Sequence, residues 1–247
     1  MRTHLILGLL LGGLSLLNPL AHADDKKDPA KDAPAPVSKP VDGAPVAPGA
    51  KDPAPKPANT EKKTEAKEQI VHVTMKTSMG DIVLELDGVK APLSTENFLK
   101  YVDDKHYDGT VFHRVINGFM IQGGGFTPAG EQKKTRAPIK NEGGNGLKNE
   151  KYTIAMARTN VPDSATSQFY INVANNAALD RANSRDQVGY AVFGRVVGGT
   201  ETVEKIKAVT TTIKRTPNGP MQDWPQADVS IIEARRSTQA EIDAIKK

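Results

Sequence analysis

The sequence has no cysteine. That excludes disulfides, thiolate zinc sites, cysteine nucleophiles and a lipid-modified N-terminal Cys together. Aromatic residues are few and unevenly placed: six Phe, five Tyr and one Trp, all at Phe98 or later. Nothing before about residue 70 can therefore build a sizeable core. Charge of one sign is also lacking. Residues 24–68 carry nine Lys against nine Asp plus Glu, and residues 69–236 carry 21 basic and 18 acidic groups. A domain at +3 has an ordinary soluble surface and no nucleic-acid footprint. The N-terminal apolar run, residues 5–17, is thirteen residues long, whereas crossing a bilayer takes about 20. No stable membrane insertion is expected.

What is present divides the chain in four. Residues 1–23 read as a secretory signal peptide. A basic start and the apolar run are followed by a break at Asn18-Pro19, then Ala21-His22-Ala23 as an A-x-A cleavage site before Asp24. Cleavage after Ala23 and a periplasmic location are the expectation. Residues 24–68 hold nine of the 17 prolines and nothing apolar larger than Val37, Val41 and Val46. Such a segment cannot bury enough surface to offset the entropy of ordering it, so a disordered Pro/Ala/Lys-rich linker is expected there. Residues 69–236 form the folded domain, and 237–247 a tail that is either frayed or one more short helix.

Within the domain, residues 70–76 and 82–87 alternate as the strands of a hairpin around Met79-Gly80-Asp81. Pro92 opens a helix, and Phe98, Tyr101 and Val102 form its buried stripe. Strands follow at 111–116, 119–122, 153–157, 168–173, 190–197 and 229–234, with a second helix at 201–207 carrying Val203 and Ile206 inward. Trp224 falls in the loop before the last strand and reads as structural. Many short strands, two helices and long loops predict a mainly β fold, a closed antiparallel barrel capped by the helices.

Conventional catalytic sets are thin. Beyond the signal segment the histidines are His72, His106 and His113, at no metal-ligand spacing. Gly123-Gly124-Gly125 lacks the Lys-Ser/Thr of a phosphate loop, and Ser164 and Ser167 lack a nucleophile elbow. The informative stretch is 112–124, Phe-His-Arg-Val-Ile-Asn-Gly-Phe-Met-Ile-Gln-Gly-Gly. Alternation sets Arg114 on the face of Phe112 and Ile116, and Gln122 on that of Met120. By residue type alone, an arginine among large apolar groups reads first as a half-buried partner of a carboxylate.

That stretch resembles the cyclophilin signature F-H-R-V-x-x-G-F-M-x-Q-G-G. The resemblance continues through Thr153-Ile154-Ala155-Met156-Ala157, Ser167-Gln168-Phe169-Tyr170-Ile171-Asn172, Leu179-Asp180 and Tyr190-Ala191-Val192-Phe193-Gly194-Arg195-Val196, across about residues 70–235. Ala157-Arg158-Thr159 and Asp163-Ser164-Ala165-Thr166 are similar to the periplasmic cyclophilins of Gram-negative bacteria. The family implies an eight-stranded barrel with two helices and peptidyl-prolyl cis-trans isomerase activity without metal or cofactor. It implies Arg114 as the donor to the prolyl nitrogen, oriented by Gln122, with Phe119, Met120, Tyr170 and Leu179 forming the proline pocket. Ala157 and Arg158 would lie along the peptide mostly through backbone, Gln168 would hold the substrate chain, and Tyr190 would line the pocket.

Tyr170 stands where Phe is usual, Tyr190 where His is common and Arg158 where Asn is frequent. Ala178 stands where many members carry Trp, so cyclosporin binding is expected to be weak. Proline-containing peptides and unfolded exported proteins are the implied partners of a monomeric enzyme. The alternative is a non-catalytic proline-binding scaffold or holdase, tethered by the linker.

Overall fold

The computed structural model describes residues 70–245, so the expected signal segment 1–23 and linker 24–68 lie outside the described residues. The hairpin of β1 (Ile70–Thr77) and β2 (Gly80–Asp87) pairs in unbroken register from Ile70↔Asp87 to Thr77↔Gly80. Ile82, Leu84 and Leu86 are fully buried at the strand period of two. Helix α1 (Pro92–Asp103) has no side-chain cap of its own. Glu142, from the long Gly- and Lys-rich excursion, supplies one: its carboxylate accepts from the Leu93 and Ser94 N–H groups at 3.0 and 2.8 Å and from the Ser94 hydroxyl at 2.7 Å. An acid there satisfies orphan donors and opposes the helix dipole.

The remaining elements are β3 (Arg114–Ile116), β4 (Met120–Gly123), β5 (Thr153–Met156), β6 (Phe169–Asn172), β7 (Val192–Gly198), α2 (Thr200–Lys207), β8 (Thr211–Thr216), β9 (Gly219–Pro225), β10 (Ile231–Arg236) and α3 (Gln239–Ile245). Eight strands form one antiparallel sheet in the order β10-β1-β2-β7-β5-β6-β4-β3. Its inner face closes on Phe98, whose ring centroid lies 4.9 Å from that of Tyr107, 5.5 Å from Phe169 and 5.3 Å from Phe193.

The expected closed barrel is not formed. The end strands β3 and β10 do not pair, and the sheet curls into a half-barrel. The residues before β3 hydrogen-bond to those before and at the start of β10 instead: Gly109 N–H to Ile231 O at 2.8 Å, Ile231 N–H to Thr110 O at 2.8 Å, and Phe112 N–H to Val229 O at 2.9 Å. The physical reason is a break in alternation. Phe112 and Val115, three apart, both enter the main core, while Val111 packs with Phe126 and Trp224. Phe112 therefore does not share the face of Arg114, and a continuous ladder cannot run through this stretch.

Beyond the two expected capping helices, the tail takes the helical one of its two expected forms, α3, and its start carries a reciprocal cap: Glu241 accepts from the Thr238 N–H at 2.8 Å, and Thr238 Oγ1 accepts from the Glu241 N–H at 3.4 Å. One element differs from expectation. Trp224 lies on a strand rather than in a loop, because β8 and β9 form a separate two-stranded sheet. Neither strand buries a residue before Trp224, so they carry no apolar alternation. Asn218-Gly219 at the tip was the available turn signal.

Candidate active site

The β3–β4 hairpin turns through Gly118, whose φ of +80° suits glycine. Its register pairs Arg114 with Gln122 and Ile116 with Met120. Val115 and Ile121 face the core, so these four side chains project from the outer face. The row continues across the sheet, from Gln122 to Tyr170, Tyr170 to Ala155, and Ala155 to Val192. Directly opposed residues share a face, so one line of side chains runs from Arg114 on β3 to Val192 on β7.

Around that line a second apolar cluster forms outside the main core. Met120, Ala155, Tyr170 and Val192 are its buried floor, and Ile116, Phe119, Leu147, Ala157, Leu179 and Tyr190 pack on it partly exposed. Six of the sequence-expected site residues, Phe119, Met120, Ala157, Tyr170, Leu179 and Tyr190, meet here. Ala155, Val192, Leu147 and Ile116 join them without having been assigned a role from sequence. Ile116 was legible as Arg114's face-mate, whereas Leu147 sits alone in a Gly- and Lys-rich stretch.

The pocket is stiffened from behind. Phe119 O accepts from the Val173 N–H at 3.1 Å and from Asn176 Nδ2 at 2.7 Å. The Tyr170 hydroxyl, the extra group relative to the usual Phe, donates to Asn149 Oδ1 at 2.7 Å. Asn149 in turn donates through Nδ2 and its backbone N–H to Asp180 Oδ1, at 3.0 and 2.7 Å. Burial pushes the Tyr170 phenol well above its ordinary pKa, so the ring stays neutral. The Tyr170 and Tyr190 rings meet edge-on with centroids 6.0 Å apart.

The two arginines differ sharply. The Arg158 side chain is only 2% exposed and is turned into the protein, while the residue as a whole stays partly exposed, so the contact expected of it along the peptide falls to its backbone. Its guanidinium lies 4.4 Å over the Tyr190 ring, donates to Gly189 O at 3.1 Å and to Thr159 O at 3.0 Å, and pairs with Asp186. That pairing holds the Asp186 carboxyl well below the usual range. Arg114 is 43% exposed, and its Nε lies 3.5 Å from Asp223 Oδ2. Gln122, its cross-strand neighbour, donates through Nε2 to Gln168 Oε1 at 2.9 Å. Gln168 is pressed in turn by Gly125, where a Cβ would come within 2.7 Å of Gln168 Cγ.

Behind β3, His113 is buried against Phe126 and Trp224, with ring centroids 4.7 and 6.0 Å away. Burial lowers its pKa to about 4, with the adjacent Arg114 charge acting the same way. The imidazole is therefore neutral at pH 7. Among the described residues no group of three or more His, Cys, Asp or Glu is placed to hold a metal ion.

An apolar cluster on the outer face of a half-barrel, in one row with a half-exposed guanidinium, is the arrangement the resemblance to the prolyl-isomerase class leads one to expect. The chain belongs to the cyclophilins: the family model for cyclophilin type peptidyl-prolyl cis-trans isomerase/CLD matches residues 72–236. It is 55% identical over 164 residues to peptidyl-prolyl cis-trans isomerase cyp18 of Streptomyces antibioticus, covering 66% of this chain and 96% of that protein. It is 53% identical to peptidyl-prolyl cis-trans isomerase A of Dickeya dadantii over 66% of this chain and 83% of that one. Isomerase B of Escherichia coli is 52% identical over 64% and 95% of the two chains.

Among solved structures, a cyclophilin type isomerase of Cryptosporidium parvum matches with TM-score 0.59 and 24% identity, over 69% of this chain and 99% of that one. The same protein studied in the presence of the dipeptide Ala-Pro matches with TM-score 0.57 and 25% identity, over 68% and 99%. This chain is accordingly a cyclophilin-type peptidyl-prolyl cis-trans isomerase, and the reading as a non-catalytic scaffold is not favoured.

Proposed function

We propose that Arg114 is the group that accelerates rotation about X-Pro bonds, acting on a proline ring seated over Phe119, Met120, Tyr170 and Leu179. Rotation must break amide resonance at a cost of ~18–20 kcal/mol, and uncatalysed exchange takes on the order of tens to hundreds of seconds. No covalent bond is made or broken. The barrier falls if a donor binds the prolyl nitrogen only when twisting localises its lone pair, because the planar ground state has no such acceptor. A guanidinium stays charged beside apolar walls and offers five N–H groups in a fixed fork.

The single observation that carries this reading is the state of Arg114. One edge of its guanidinium is held at Nε by Asp223, 3.5 Å away, and the group is 43% exposed beside the pocket row. Gln122 contributes through Gln168, which it holds at 2.9 Å, so the pair forms the floor next to the guanidinium. Tyr190 and Ala157 extend the wall, and the Ala157 N–H is already used by Gln168 O at 3.0 Å.

X-Pro exchange in a short peptide, followed by NMR line broadening, tests the assignment. Arg114→Ala is expected to slow catalysed exchange about a hundred- to a thousandfold, ~3–4 kcal/mol, while the peptide still binds. Unchanged exchange in that variant contradicts the assignment.

The composition of residues 1–23 supports export, cleavage after Ala23 and action in the periplasm, with residues 24–68 as a solvated spacer ahead of the domain. The substrates are then proline-containing segments of unfolded or flexible exported proteins, met by a monomer. Ala178 in place of a large aromatic supports weak cyclosporin binding. N-terminal sequencing of the exported protein tests the cleavage site: a chain still beginning at Met1 contradicts it.

A further inference from the structure

We infer that Asp223 is a positioning residue for Arg114, holding the guanidinium side-on so that its terminal nitrogens face the pocket. The inference rests on Arg114 being the donor. It starts from the backbone of β9. Thr212 pairs with Trp224 and Lys214 with Met221, so Gln222 and Asp223 together oppose Ile213 alone. That is a β-bulge, a device that re-aims a side chain. Asp223 takes the left-handed conformation there, with φ +58°. Glycine is the residue that adopts this conformation without strain, and its use by a side chain at a functional site calls for a reason. The consequence of the bulge is that the Asp223 carboxylate reaches Arg114 Nε, 3.5 Å away.

The hairpin does not need Asp223 to stay in place. Trp224, its neighbour, is buried, and its Nε1 donates to Asp228 Oδ1 at 2.7 Å. Lys214 on the opposite strand pairs with the same Asp228 at 3.1 Å and lies 4.6 Å over the Trp224 ring. Phe126 packs edge-on against that ring at 6.2 Å. This brace fixes β8–β9 independently, and Asp223 is left to act on Arg114.

Arg114 itself has little other restraint. It opens β3, a three-residue strand at the end of the sheet, and its cross-strand neighbour Gln122 is committed to Gln168. A long side chain at such an edge would sample many rotamers, few of them aimed at the pocket. An ion pair whose given contact is through Nε narrows that freedom and biases the terminal NH2 groups toward the substrate. Asp223 is 36% and Arg114 43% exposed, so the effect is modest, and it falls on turnover because the guanidinium matters most in the twisted state.

Glycine supplies the decisive variant, since it keeps the bulge conformation while removing the carboxylate. Steady-state turnover of an Ala-Pro peptide would be measured for wild type, Asp223→Gly, Asp223→Asn, Arg114→Ala and the Asp223→Gly/Arg114→Ala double variant. Asp223→Gly is expected to lower kcat about fivefold with KM within about twofold and no loss of melting temperature. Asp223→Asn, which also tolerates the conformation and keeps an acceptor oxygen, is expected to restore most of the loss. The double variant is expected to match Arg114→Ala alone, since the carboxylate acts only through the guanidinium. Wild-type kcat in Asp223→Gly, with Arg114→Ala impaired, overturns the role of Asp223. So does a further loss in the double variant. Wild-type kcat in Arg114→Ala would instead overturn the assignment of Arg114.

Discussion

Arg114 and Arg158 both border the apolar cluster and carry the same charge, one opening β3 and the other just past the end of β5, yet they are in opposite states. Arg158 is 2% exposed, with its NH groups spent on Gly189 O, Thr159 O and Asp186 and its face covered by Tyr190. Arg114 is 43% exposed and held at one nitrogen. A buried guanidinium with every nitrogen engaged by the protein can brace a wall but has little left to give a substrate. One that is held at its edge can be both aimed and available. Residue type does not separate the two, and the number of donors already used does.

That contrast can be broken or sharpened by substitution. The largest effect is at Arg114. Arg114→Lys keeps a cation and loses the planar fork, and it is expected to fall at least about tenfold in kcat, closer to Arg114→Ala than to wild type. Recovery of full turnover by lysine would show that charge alone is sufficient.

Next is the neutrality of His113, which keeps a second cation from forming beside Arg114. Its native pKa of about 4 lies below the ordinary 6.5. The native state therefore binds fewer protons than the unfolded state between these values. Stability is full above pH 6.5 and is lost as pH falls toward 4, by ~3 kcal/mol. Denaturation midpoints across that range should slope downward for wild type and flatten for His113→Gln. Equal slopes would assign the acid loss elsewhere.

Arg158→Ala should affect stability more than chemistry. Loss of a buried guanidinium that ties the 186–190 loop to the sheet is expected to cost ~1–3 kcal/mol. KM should rise and kcat stay within about threefold, because the wall moves and the donor does not. A hundredfold loss of kcat would put Arg158 in the chemistry. The smallest effect is Tyr170→Phe, which removes the bond to Asn149 Oδ1 and leaves that acceptor with only the longer bond from Asn172 Nδ2, 3.3 Å. About 1 kcal/mol of stability is expected to go, with turnover nearly unchanged.

Part of the pocket floor was legible because its residues obey period two on strands with strongly apolar neighbours. Spacing gave the shared face of Met120 and Gln122, the resemblance supplied Tyr170, and the register that brings Ala155 beside them came only with the sheet. The barrel closure was misread for a related reason. Residues 111–116 look like one strand, and only packing reveals that Phe112 and Val115 both turn inward.

Which carboxylate each arginine meets, and how far each is buried, was not legible. Arg158 depends on how the loop through Asp186 and Gly189 folds back, and Arg114 on a carboxylate delivered by a bulge in the β8–β9 hairpin. Strands that bury so little need no apolar alternation, so β8 and β9 left little trace beyond Asn218-Gly219. What sequence did suggest, an arginine partnered by a carboxylate, and what the family resemblance implied, an arginine acting on proline, are compatible in one side chain.

The most direct test follows the side-chain Nε–H resonances of both arginines while an Ala-Pro peptide is titrated into the enzyme and its cis–trans exchange is measured in the same sample. The account predicts that the Arg114 signal shifts and broadens with the exchange process while that of Arg158 stays where it was. A shifting Arg158 beside an unmoved Arg114, with exchange still catalysed, would contradict it.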